Sequence, residues 1–437
     1  MAPSTPKTGR YKARKWLLSS VVLTILGVSR LFLVQNPSLQ NVDRSLWESL
    51  ASTAINHVDQ ISIMEGYPSL QCLRHTPQQI QHGRMAGSIP NQTILQHATA
   101  THCGRLRRQW WHNPVLSDYA QSIQRHQSNC TLPLATHFMD NTFGLGSHLL
   151  LWGQAMCNAM ENGHRLQSYT SSPWIWSDQN HCDPNANITS PMHCYFPNSE
   201  QLCLNDRTRT IPSSINVSDP RQQNEWCQLV KNASQEEEKE YIRAASTEFI
   251  FQQISPLVIQ EAQRQIGLIF PGGVVPEDLV TVHIRWGDKF WEMDLVSIEE
   301  YIHAINELLQ RHHGMTPHKN TIIKAANIYL ATEDPRAYQE FMQAKPPEWN
   351  VYADITLQEI DAFRPRKGNR ASWAARNTKG RSGLIALGSL LVAMEANLFV
   401  LTTKSNWSTL MNQLRTQVVD PRCGNCTDML DLRPGNW

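Results

Sequence analysis

The chain has almost no excess of either charge: Lys and Arg total 39 against 38 Asp and Glu, a net charge of +1 over 437 residues. Without a global basic field, nucleic acid is excluded as the main partner. Only one apolar run, near the N-terminus, approaches spanning length, which excludes a multi-span membrane protein. There is no internal repeat and no heptad run. No Asp-x-Asp pair occurs anywhere, and only one C-x-x-C spacing does. Charged residues make up 18% and hydrophobic ones 41%, so the chain can bury a core and wholesale disorder is excluded. Its length suggests two lobes, or one domain plus accessories.

Acidic residues are absent before Asp43. Lys7, Arg10, Lys12, Arg14 and Lys15 precede an apolar run, Trp16–Val28; Arg30 interrupts it and Leu31–Val34 resume. Trp16–Val34 is 19 residues, enough to cross a thin bilayer once. The preceding positive charge predicts a cytoplasmic tail (1–15), a signal-anchor helix (16–34), a polar stem (35–65) and a lumenal remainder. A cleaved signal peptide and a mitochondrial presequence are the alternatives. The rest of the chain favours the lumen. Asn-x-Ser/Thr triplets stand at Asn91, Asn129, Asn187, Asn216, Asn232, Asn406 and Asn425, and eight of the ten cysteines fall between Cys72 and Cys227. Such a clustered, even set fits disulfides formed in an oxidising compartment. Cys423 and Cys426 could bind metal, but a structural zinc site needs four ligands and no partner stands nearby. A short disulfide closing the C-terminal loop is expected.

Along the chain, "LPLATHFMD" has strand character. Gly144-Leu145-Gly146-Ser147 then opens a helix over 147–162. Residues 171–235 are rich in Pro, Asn, Ser and Cys, which predicts a disulfide-tied insertion within an N-terminal lobe spanning 66–270. Residues 236–270 are helical, with Pro256 expected to kink or split them. From about 275, "DLVTVHIRW", "NIYLAT", "EWNVYADI" and "LFVLTT" alternate with amphipathic helices. That rhythm predicts a parallel sheet with crossover helices in a C-terminal lobe, 271–437. Ligands in such sheets sit beyond the carboxyl ends of the strands.

The strand at 279–284 runs into His283-Ile284-Arg285-Trp286-Gly287-Asp288-Lys289. Polar groups ending a buried strand are costly unless something pairs with them. Arg presents a planar fork that matches a phosphate, and Lys adds a second positive charge. An internal Arg–Asp bridge capping the strand is the plainer alternative. Likewise, Glu333 and Asp334 could bind a ligand or cap the helix starting at Pro335, Gly144 and Gly146 could simply make a turn, and Ser405 could be an N-cap. The stretch Arg364–Arg381 carries seven cations and no acid, as a lid or as a solvated loop.

The string "VTVHIRWGDK" resembles the first motif of the α1,2-, α1,6- and protein O-fucosyltransferases that use GDP-fucose. Ile298-Glu299-Glu300-Tyr301 and "YLATEDP" (Tyr329–Pro335) are similar to segments of the core α1,6-fucosyltransferases. "GLIALGSLLVAMEANLFVLTTKSNWSTL" resembles their last motif, and Gly144-Leu145-Gly146 their Gly-rich turn. The resemblance covers roughly residues 140–410. It implies a two-lobed GT-B-like α/β fold and an inverting sugar transfer with no metal and no cofactor beyond the GDP-fucose donor. The missing Asp-x-Asp pair agrees with that implication. Arg285 and Lys289 would neutralise the diphosphate, with Glu292 as base and Asp294 as its rival. His283, Asp288, Gly144, Gly146, Glu333, Asp334 and Ser405 would contact GDP-fucose.

Some positions depart from the family. Trp286 replaces a second Arg, Ser389 stands where an Asp is expected, and the Lys289–Glu292 spacing is one residue shorter. No room remains for the family's C-terminal SH3-like domain, and the N-terminal coiled coil is missing. The leading expectation is a Golgi single-pass enzyme transferring fucose to the core GlcNAc of N-glycans in α1,6 linkage. The alternatives are another glycan or a protein hydroxyl as acceptor, or a non-catalytic membrane-anchored sugar-binding protein.

Overall fold

The computed structural model describes residues 111, 116–182, 190–200, 203, 215–216, 227–233, 235–252, 254–287, 294–316, 323, 325–359 and 371–435. All of them fall within one compact unit, Cys72–Trp437. The expected tail, membrane helix and stem at 1–65 lie outside the described residues, as do Asp288, Lys289, Glu292 and the 364–370 part of the basic stretch. Among the described residues no helix is long and apolar enough to cross a membrane.

The architecture is mixed α/β with two all-parallel sheets. Helix α1 (Asp118–Gln127) leads to β1 (Leu134–Phe138), α2 (Leu145–Glu161), β2 (Arg165–Tyr169) and β3 (Ile215–Asn216). These strands form a small parallel sheet in the order β2-β1-β3. Three helices follow: α3 (Gln228–Asn232), α4 (Glu236–Phe251) and α5 (Pro256–Ile269). Next come β4 (Leu279–His283), α6 (Ile298–His312), β5 (Ala326–Ala331), α7 (Pro335–Ala344) and β6 (Trp349–Ala353). After α8 (Thr356–Glu359), α9 (Ala371–Asn377) and α10 (Arg381–Ala393), the chain enters β7 (Leu398–Leu401) and α11 (Asn406–Leu414). A π-helical turn (Arg415–Val419), α12 (Asp420–Cys423) and β8 (Asp428–Asp431) complete it. The second sheet runs β6-β5-β4-β7-β8, again all parallel.

Local chemistry explains most of these elements. All five residues of β4 are buried, as expected for a central parallel strand covered on both faces. Ser297 and Glu300 form a capping box that starts α6, and its apolar stripe of Ile298, Tyr301, Ile305, Leu308 and Leu309 is buried. Pro256 splits the 236–270 segment: α4 stops at Phe251, and α5 restarts with the proline in its first turn, capped by the Ser255 side chain. Strand β2 has no apolar rhythm because its buried side chains include Arg165 and Ser168. Buried Glu200 accepts from the Ser168 N–H at 2.7 Å and from Trp152 Nε1 at 2.7 Å, which offsets that cost.

Two cores cover the larger sheet. Leu279, Tyr329, Phe399 and Leu401 face one that also takes in α2, α4, α5 and α10. Val280, Val282, Ile328, Leu330 and Val400 face the other, built with α6 and α7. The described cysteines pair as Cys130–Cys203, Cys157–Cys227, Cys182–Cys194 and Cys423–Cys426. The 171–235 segment is therefore disulfide-tied, and the C-x-x-C pair closes its own loop.

The start of α10 lies against the backbone of the 174–179 loop. Gly380 has φ +83°, and a Cβ there would sit 1.8 Å from the Ser177 carbonyl oxygen; at Gly383 it would sit 2.1 Å from that of Trp176. Backbone cannot yield as a flexible side chain does, so Gly383→Ala is expected to cost about 3 kcal/mol or more. Gly267→Ala, in open space on α5, is expected to stabilise by about 0.5–1 kcal/mol. Urea midpoints of the two variants check both signs.

Candidate active site

Strand β4 is the topological switch of the larger sheet: the chain leaves it for β5 on one side and later returns as β7 on the other. Loops diverge at the carboxyl ends of such strands and leave a crevice. Strand β1 has the same position in the smaller sheet, between β2 and β3. Its carboxyl end feeds the turn that opens α2. The two switch points meet through the helices that follow them. Asn406 Nδ2, at the start of α11, donates to Ser147 Oγ on α2 at 2.6 Å. A Cβ on Gly146 would lie 3.1 Å from the Trp407 ring and 3.4 Å from the Asn406 backbone. Gly146 is thus the spacer that lets the two helix starts touch, whereas Gly144 faces open space and serves as the N-cap of α2.

Neither helix start is capped by a side chain: Gly144 has none to offer, and Ser405 makes no cap hydrogen bond. Ser405 is buried, with its N–H on the Thr402 carbonyl and its own carbonyl accepting from the Thr409 N–H. The first N–H groups of a helix have no partner within it, and the helix dipole makes them partly positive. Two such ends side by side form a receptor for an anion. Exposed Lys404 adds a cation immediately before α11.

Strand β4 delivers His283 to α11, and Arg285 follows two residues later. His283 is buried and hydrogen-bonds through Nδ1 to Ser408 Oγ at 2.7 Å; the Thr402 N–H donates to the same oxygen at 3.2 Å. Burial, and then the nearby Arg285 charge, push its pKa down to about 3. The imidazole is therefore neutral at physiological pH and acts as a hydrogen-bonding group rather than a proton donor. The Arg285 side chain is 14% exposed. Its Nη1 donates to the Trp286 carbonyl at 3.0 Å and lies 4.0 Å from Glu333 Oε2, at the end of β5. Glu333 is largely solvated, so that ion pair is loose and its charge well screened.

Asp334 has a different environment. Its carboxylate accepts from the Arg336 N–H at 2.9 Å and from Arg336 Nη2 at 2.8 Å, and it also takes the Gly287 N–H. Burial raises its pKa, but the Arg336 contacts outweigh that and hold it below the ordinary value. It caps α7 and clamps the loop after β4. Trp286 packs on the β4–α6 core and donates Nε1 to the Val296 carbonyl at 2.9 Å. Asp294 is exposed beyond the undescribed 288–293 segment. Ser389 Oγ lies 2.8 Å from the buried Asp354 carboxyl at the end of β6 and 2.9 Å from Gln265 Oε1. Desolvation raises the Asp354 pKa above its ordinary value, against the hydrogen bonds from Thr356, Ser389 and Tyr329.

Beneath the turn that opens α2 lie two more buried histidines. Burial, and then His148, lower His137 to about 3; burial lowers His148 to about 4 against the opposing pull of Asp140. The structure thus pairs Arg285 with Glu333 and His283 with Ser408, brings Gly146 and Ser147 against Asn406 next to Ser405, and has Asp334 cap α7. Lys404, Asn406 and Ser408 lie inside the "TTKSNWS" string, but only the packing of α11 on α2 separates their roles. The group Asp420, Cys423 and Cys426 has metal-ligand proximity, yet its two sulfurs form a disulfide and offer no thiolate.

No protein-family model matches the chain, and a search of curated proteins found no match. Among solved structures, a crystal structure of NodZ alpha-1,6-fucosyltransferase soaked with GDP-fucose aligns with a TM-score of 0.32 and 10% identity, over 65% of this chain and 92% of that one. So shallow a likeness is similarity alone, and neither fold nor activity is read from it.

The three buried histidines set an acid limit on stability. Each is neutral when folded, with a pKa near 3 or 4, and titrates near 6.5 when unfolded. Below pH 6.5 the unfolded chain binds more protons, so their contribution is complete above 6.5 and is lost as the pH falls toward 4. The combined slope approaches about 4 kcal/mol per pH unit. Urea midpoints measured from pH 7.5 to 5 are expected to fall steeply below 6.5; His283→Gln should flatten the curve, and a flat wild-type profile would contradict the neutral state.

Proposed function

We propose that this chain is a glycosyltransferase that moves fucose from GDP-fucose to a glycan hydroxyl by an inverting, metal-independent displacement. The observation that carries the reading is the junction of two uncapped helix N-termini, at Gly144–Ser147 and Ser405–Asn406, tied to the β4 switch point by the hydrogen bond of His283, two residues before Arg285, to Ser408 on α11. Such a junction suits a diphosphate. The residues that form it are those of the separate strings resembling fucosyltransferase motifs, and His283, Arg285, Gly146 and Ser405 hold the positions those motifs give to donor contacts.

In this reading the bond from the fucose anomeric carbon to the β-phosphate oxygen breaks through an oxocarbenium-like state. Negative charge grows on the departing diphosphate. The Arg285 guanidinium and the N–H groups at the two helix starts stabilise it in place of a divalent ion. Neutral His283 hydrogen-bonds the nucleotide or its sugar. Asp288 and Glu333 serve as donor contacts, and Lys289 adds charge or relays a proton. Glu292 removes the acceptor's proton, with exposed Asp294 as the rival base. The GT-B-like arrangement belongs to the same proposal. So do core GlcNAc of N-glycans as acceptor, the α1,6 linkage and a type II anchor in the Golgi membrane, with the catalytic part in the lumen.

The test offers the purified chain several labelled nucleotide sugars and a glycan panel, with linkage read by mass spectrometry. Transfer from GDP-fucose is expected, undiminished by EDTA. Arg285→Ala should lower kcat/KM by roughly 10²-fold, with the thermal transition unchanged. Transfer from GDP-mannose but not GDP-fucose would overturn the reading.

A further inference from the structure

We propose that Asn129 carries an N-linked glycan in the folded protein, and that the Asn406 sequon does not. The proposal rests on lumenal placement of the chain, not on the identity of the sugar donor. Asn129, Cys130 and Thr131 are all exposed. They form a tight turn between α1 and β1: the Asn129 N–H donates to the His126 carbonyl, and the Leu132 N–H to the Asn129 carbonyl. The Cys130–Cys203 disulfide pins that turn.

Within the turn, Asn129 Oδ1 accepts from the Thr131 N–H at 3.1 Å and from the Thr131 hydroxyl at 2.7 Å. This is an Asx turn closed by the sequon's own hydroxyl. Two donors on the amide oxygen leave the amide nitrogen outside the turn. Among the described residues, Asn129 Nδ2 has no protein acceptor.

The modification is a group transfer that needs a polyprenyl-diphosphate-linked oligosaccharide and the transferase that uses it. A bond forms between Asn129 Nδ2 and the anomeric carbon of the first sugar. The bond from that carbon to the diphosphate oxygen breaks, the lipid diphosphate leaves, and the amide proton passes to a base on the transferase. No oxidation state changes.

Asn406 has the same sequence signal and the opposite surroundings. It is half-buried, and its Nδ2 is held on Ser147 Oγ at 2.6 Å. The hydroxyl of its sequon, Ser408 Oγ, is buried and bound by His283 and the Thr402 N–H. A glycan on Asn406 would hold α11 away from α2, so a chain so modified cannot close this junction. Asn129, by contrast, precedes the amino end of β1, so a glycan there leaves the carboxyl-end crevice open.

The test expresses the full chain in a secretory eukaryotic cell and keeps the folded, disulfide-intact fraction. Peptide-N-glycosidase treatment in heavy-oxygen water then marks each formerly glycosylated Asn as a labelled Asp. Label at Asn129 and none at Asn406 is expected. Asn129→Gln and Thr131→Ala should each abolish the label at 129, whereas Thr131→Ser should keep it. Because Thr131→Ala retains the Asn side chain, loss of the glycan is separable from loss of fold. Label at other sequons but not at Asn129, or label at Asn406 in the folded fraction, would overturn this proposal alone. A chain with no label anywhere would overturn it together with the lumenal placement.

Discussion

The contact between the first turns of α2 and α11 is the constraint on which the crevice depends. Two helix N-termini carry partial charge of the same sign and repel each other when brought together. They are held here by a short hydrogen bond from Asn406 to Ser147 and by the absence of a side chain at Gly146, which lets the Trp407 ring approach. An arrangement that spends packing energy on placing like partial charges together is relieved by an anion between them. That makes the junction a more specific feature than either glycine-rich turn or strand-end arginine taken singly.

The strand ends are held in place by groups with no chemistry of their own to perform. Asp334 ties the loop after β4 to the start of α7 through the Gly287 N–H and Arg336. Ser408 fixes the His283 ring from the inner face of α11. His283, His137 and His148 are all kept neutral by burial, so these rings add no charge near the two switch points. Positive potential at the strand ends then comes from Arg285 and the helix ends.

Elements with strong local signals were legible in the chain: β4 as an unbroken apolar run, α6 from its capping box and stripe, and the break at Pro256. The parallel second sheet followed from their alternation. Strands β2, β3 and β8 were not legible, for different reasons. Strand β2 buries Arg165 and Ser168 against partners far off in sequence, β3 is two residues long, and β8 is an edge strand of half-buried residues. At the site, His283 and Arg285 could be picked out by their place at a strand end, and Ser405 only through the resemblance of its string. The division of labour between Glu333 and Asp334 could not, because adjacent carboxylates look alike until one of them is seen capping a helix.

By itself the sequence determined what depends on neighbours along the chain: where helices start and stop, which strands are buried on both faces, and which basic and glycine-rich strings end them. Only the tertiary structure decided what depends on distance through space. Ser147 and Asn406 are 259 positions apart, and no local propensity records that their helices begin at the same point. The same holds for the two sequons, identical in pattern, of which one lies in an exposed turn and the other in a packed junction. Burial and hydrogen-bond partnership are properties of the assembled fold, and they separate residues that composition and spacing leave equal.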